Sequence, residues 1–77
     1  MPHVTIQHFP RDFTDEQQER LAEALTTVVM EHFDVYEGAV SIALEPVAAP
    51  DWDAVVVTPE ITARPDLLIK APHYRDA

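Results

Sequence analysis

The chain is predicted to be a small α/β protein: a single βαβ unit with a short C-terminal helix, completed by oligomerisation. Three observations predict this. Apolar residues alternate from Pro2 to Phe9, a capped apolar repeat of helical period follows Thr14, and a second alternating run fills Val40 to Glu45.

In the first run Val4 and Ile6 share one strand face, Thr5 and Gln7 the other, and Pro10 supplies a stop. Thr14-Asp15-Glu16-Gln17 reads as a capping box, with Thr14 at the N-cap and Gln17 at the third helical position. Beyond it Leu21, Ala24, Leu25, Val28, Val29 and His32 recur at helical spacing, a stripe expected to face the sheet. The helix should end after Phe33, with a turn over Asp34 to Gly38.

In the second run Val40, Ile42 and Leu44 alternate with Ser41, Ala43 and Glu45 before Pro46. A helix of about eighteen residues spans roughly 27 Å, enough to return the chain and lay the two strands parallel in a right-handed crossover. Pro46 to Pro50 reads as a connection, and Trp52 with Val55 to Val57 fits either a short strand or a loop. Pro65 suits the first turn of a short helix carrying Leu67, Leu68 and Ile69, which Pro72 ends. His73, Tyr74 and Arg75 then add polar groups near the C-terminus.

Seventy-seven residues leave room for one domain, taken as 1–77, with a small core. There is no cysteine and no clustered Cys/His arrangement, so neither a disulfide nor structural zinc staples the fold. A partner subunit is the natural substitute. Fourteen acidic residues against five Lys/Arg give a formal charge of −9, which opposes nucleic acid and anionic membrane as partners. Without a signal-peptide pattern or a span-length apolar stretch, cytoplasmic residence is expected. The basic supply is Arg11, Arg20, Arg64, Lys70 and Arg75.

Met1-Pro2 opens directly onto the first strand. Removal of Met1 would expose a prolyl secondary amine, a compact proton acceptor, where an internal residue offers only an amide. Free terminal amines titrate near roughly pH 8, within reach of acid-base chemistry. Pro2 is therefore a candidate catalytic group. The histidines do not form a metal pair: His3 and His8 should face opposite sides of the strand, His32 lies on the helix stripe, and His73 merely neighbours Tyr74.

The combination of Met1-Pro2 opening a strand, Phe9-Pro10-Arg11, Asp15-Glu16-Gln17-Gln18 opening a helix, Val40-Ser41-Ile42-Ala43-Leu44, Trp52, and Leu68-Ile69-Lys70 with Pro72 and Tyr74 resembles the tautomerase superfamily. The likeness is to the short 4-oxalocrotonate tautomerase-like proteins and their dimeric branch, and it covers essentially the whole chain. It implies keto-enol conversion without a cofactor or metal, with the processed Pro2 as proton-transfer group. It also implies a homodimer. Arg11 resembles the family's early basic residue, implying that it binds a substrate carboxylate, and Trp52 stands near an aromatic pocket wall. Where members acting on dicarboxylates carry an arginine on strand two, this chain has Ser41, which is retained as a possible pocket residue.

The departure at Ser41 favours a monocarboxylated, partly apolar enol or keto acid, either a 2-hydroxy-2,4-dienoate or an aryl enolpyruvate. Two alternatives stand beside this reading. One is a hydratase or dehalogenase acting on an unsaturated acid; the other is a non-catalytic acidic homo-oligomer that binds proteins, in which Pro2 is only structural.

Overall fold

The computed structural model describes residues 1–74, so Arg75 lies outside the described residues. The chain falls into two compact units divided after Pro46. The first is the expected βαβ unit: β1 (His3–His8), α1 (Asp15–Phe33) and β2 (Ser41–Pro46). The strands run parallel with His3 opposite Ser41, Ile6 opposite Leu44 and His8 opposite Pro46. Each strand begins one residue later than the alternating pattern suggested.

Helix α1 starts as the capping box requires. Gln17 N–H donates to Thr14 Oγ1 at 3.1 Å, and Thr14 N–H donates to Gln17 Oε1 at 2.9 Å, so two orphan donors of the first turn are satisfied. Asp15 and Glu16 favour the positive end of the helix dipole, and Glu16 pairs with Arg20 one turn on. Asp34 ends the helix in the left-handed region, at φ 53° and ψ 53°. One 3₁₀ turn, Glu37–Ala39, then leads into β2.

The helix packs differently from the expected stripe. Leu21, Leu25 and Val29 are half-buried, as are Ala22, Thr26 and Met30, but Ala24, Val28 and His32 are exposed. On a 3.6-residue helix the 24–28–32 row flanks the 21–25–29 row on one side, and the 22–26 row flanks it on the other. The apolar arc is thus wider than a two-stranded sheet covers, and the helix turns its second flank inward. Val4, Ile6, Ile42 and Leu44 are half-buried on their strands. No helix residue is fully buried, and Ala39 is the buried apolar residue of this unit.

The second unit is helical but irregular. A 3₁₀ turn, Ala49–Asp51, feeds a π-helix, Asp53–Thr62, so the Trp52 to Val57 segment is neither the strand nor the loop expected for it. Pro59 gives the physical reason. It has no N–H for an α-type bond, and its ring crowds the carbonyl four residues back. At the end of the helix Ala63 N–H donates to the Thr58 carbonyl at 3.0 Å, an i→i+5 bond. Val47 and Val56 are buried in this unit. The C-terminal helix shrinks to one 3₁₀ turn, Pro65–Leu67; Leu68 is extended and Ile69 is fully exposed.

Candidate active site at the amino terminus

Pro2 sits at the tip of β1, where the Ser41 N–H donates to its carbonyl at 3.2 Å. That bond fixes Pro2 against the start of β2 while leaving its nitrogen outside the ladder. Pro2 is half-buried, whereas Met1 projects almost entirely into solvent. An exposed, unpacked Met1 is open to removal.

Ser41 has a second contact: its Oγ lies 2.7 Å from His3 Nδ1, while His3 Nε2 lies 3.2 Å from Thr5 Oγ1. Four register pairs beyond His3 and Ser41, on the same face, Gln7 Nε2 donates to Glu45 Oε1 at 2.9 Å. The strand face opposite Val4 and Ile6 therefore carries a ladder of polar cross-strand pairs. His3 is the neighbour of Pro2 that sequence reasoning missed. The signal was the register: once His3 stands opposite Ser41, an imidazole and a hydroxyl must meet. Ser41 thus engages His3 and the Pro2 carbonyl, with no cation of its own to offer an acid.

Among the described residues, no hydrogen bond or ion pair joins Arg11 to Pro2. Arg11 follows the far end of β1, and the six-residue strand between them covers about 17 Å. Its own surroundings are defined. The Arg11 guanidinium carbon lies 5.2 Å from the Phe13 ring centroid, over the ring, and the His8 ring meets Phe13 edge-on at 5.8 Å and 86°. Arg20 and Arg64 are held by Glu16 and Glu60 one turn away on their helices. Among the described residues, Arg11 and Lys70 are the Arg and Lys side chains outside ion pairs.

Trp52 belongs to the second unit, at the start of the π-helix, half-buried. Its indole N–H donates to the Tyr74 hydroxyl at 3.0 Å, which ties down the end of the described chain. In the first unit a cavity of about 520 Å³ opens over Leu21, Ala22, Ile42 and Leu44, with Asp15 and Glu19 in its walls. Two carboxylates there oppose an anionic substrate, and Pro2 does not line it. No group of three or more His, Cys, Asp or Glu among the described residues could hold a metal ion. No helix among them is long and apolar enough to cross a membrane.

A parallel βαβ unit opened by Met-Pro defines a class, and comparison with known proteins gives its family. The family model described as "Tautomerase enzyme" matches residues 2–60. Tautomerase PptA of Enterobacter sp. (strain 638) is 46% identical over 74 residues, covering 96% of this chain and 97% of the relative. Tautomerase PptA of Cronobacter sakazakii is 40% identical over the same shares. The crystal structure of DmpI from Helicobacter pylori superposes with a TM-score of 0.54 at 18% identity, over 62% of this chain and 75% of that one, a likeness of fold. The chain belongs to the tautomerase family. It is an enzyme of the isomerase class, as the resemblance implied.

Proposed function

We propose that this chain is a cytoplasmic, cofactor-independent homodimeric tautomerase, one domain over 1–77, acting on a monocarboxylated enol or keto acid. The substrate class is a 2-hydroxy-2,4-dienoate or an aryl enolpyruvate. Processed Pro2 moves the proton, Arg11 binds the carboxylate and Trp52 walls the pocket. The observation that carries the reading is Pro2 at the strand tip, its carbonyl held by the Ser41 N–H, in a member of the tautomerase family. The family match runs across the boundary between the two units, which supports a single domain.

The chemistry balances on one amine. The Pro2 nitrogen takes the enol O–H proton, the oxygen electrons close the carbonyl, and the C=C pair takes the same proton back from the prolinium at carbon. A carboxylate held in the Arg11 fork fixes which carbon receives it. With the length of β1 between Pro2 and Arg11, the Arg11 of each site is assigned to a second copy. The dimer is then part of the site. The open cavity on α1 and β2 and the exposed Val28 row offer surface for that copy to cover.

Retention of Met1 separates this from a non-catalytic module. Intact mass establishes processing, and kcat/KM is then measured on phenylenolpyruvate and 2-hydroxymuconate for processed and Met1-retaining protein. The processed form is expected to turn over phenylenolpyruvate, and the retaining form to lose nearly all activity. Equal rates in the two forms would overturn the free-amine mechanism.

A further inference from the structure

We propose that Phe13 and His8 are positioning residues that hold the Arg11 guanidinium ready for a substrate carboxylate. The proposal deepens the reading of Arg11 given above and rests on it.

Five residues, Phe9 to Phe13, link the end of β1 to the N-cap Thr14, with no regular hydrogen-bonded element among them. Such a segment needs side-chain contacts to hold an arginine still. His8 Nδ1 lies 2.7 Å from the Phe9 carbonyl oxygen, which can only accept. Nδ1 therefore carries the proton and donates, fixing the tautomer and orienting the ring. The oriented imidazole meets Phe13 at 86°, and its Nε2 is buried without a hydrogen-bond partner among the described residues, so this ring serves packing. Phe13, braced in this way and next to the N-cap, presents its ring to Arg11, whose guanidinium carbon sits 5.2 Å from the centroid.

The choice of an aromatic holder has a chemical consequence. Arg20 and Arg64 are held by glutamates, which would compete with any incoming carboxylate for the same N–H donors. A ring face attracts the cation through its quadrupole and takes none of those donors. The fork at the guanidinium edge stays available for bidentate pairing, already partly immobilised, so less entropy is lost on binding. In a chain of charge −9, this keeps one arginine from being captured by the protein's own acids.

The test is steady-state kinetics on processed protein with a carboxylate substrate, phenylenolpyruvate, and its neutral methyl ester. Phe13→Leu keeps bulk and removes the ring; Phe13→Tyr keeps the ring; Phe13→Met serves if Phe13→Leu does not fold. Loss of the ring is expected to raise KM for the acid about three- to fivefold. Its kcat and its kinetics on the ester should be unchanged, and Phe13→Tyr should behave like the parent. His8→Leu should give a smaller KM rise of the same kind. In an Arg11→Ala background, Phe13→Leu should add nothing, as expected of residues acting through one another.

An unchanged KM for Phe13→Leu, an equal effect on the ester, or full additivity with Arg11→Ala would overturn the proposal. So would an Arg11→Ala variant with parental KM. The Met1 comparison judges Pro2 catalysis separately, so these failures leave that mechanism distinguishable.

Discussion

Ser41 touches the proposed proton-transfer residue through its backbone and a neighbour of it through its side chain. Its backbone N–H holds the Pro2 carbonyl and its hydroxyl meets His3 on the exposed strand face. Ser41→Ala keeps the first and loses the second, so the stability loss should stay below about 1 kcal/mol in urea unfolding, and kcat/KM on phenylenolpyruvate should change little. Ser41→Arg is more informative. A cation at that position, where dicarboxylate-using members carry one, should raise the preference for 2-hydroxymuconate over phenylenolpyruvate by roughly tenfold if it pairs the second carboxylate. The ratio of the two kcat/KM values reads it directly. The sequence singles out Pro2 and Ser41, but not their hydrogen bond or the His3 contact, because register is a property of two strands rather than of either.

At the scale of elements, the ends of α1 are set by chemistry that a sequence displays. The Thr14 box has both reciprocal bonds, so Thr14→Ala should cost about 1 kcal/mol, measured as a fall in the denaturant midpoint at unchanged slope. Asp34 presents the opposite case. It holds a left-handed conformation that a glycine adopts without the side-chain penalty, so Asp34→Gly should stabilise the protein by up to about 1 kcal/mol, less the entropy that glycine adds to the unfolded chain. A rise in Tm without change in kcat/KM is the expected result.

The elements that were not legible failed for physical reasons. The apolar arc of α1 includes Ala24 and Val28 as well as Ala22 and Met30, and periodicity alone does not say which flank a two-stranded sheet will cover. The π-helix has neither the strand period nor the α period, and Pro59 inside it argues against the α-helix that burial of Val56 would otherwise suggest. Sequence reasoning expected Leu68 and Ile69 to extend the last helix. The chain instead leaves the 3₁₀ turn at Leu68, whose N–H still bonds the Pro65 carbonyl.

At the scale of the whole molecule, the proposed supply of Arg11 by a second copy would make assembly a matter of catalysis. In a symmetric dimer each site would join Pro2 of one protomer to Arg11 of its partner, a pairing that mixed assemblies test. A Met1-retaining protomer lacks the free amine and keeps Arg11; a processed Arg11→Ala protomer keeps the amine and lacks the fork. After the two are unfolded, mixed and refolded in equal amounts, random pairing should give about a quarter of all sites with both groups intact. Activity on phenylenolpyruvate at low substrate should then exceed the average of the two parents. Were Arg11 to serve Pro2 of its own chain, no hybrid site would be complete and mixing would add nothing. Sedimentation equilibrium on the same mixture must report a dimer: a dominant monomer at micromolar concentration would remove the composite site altogether.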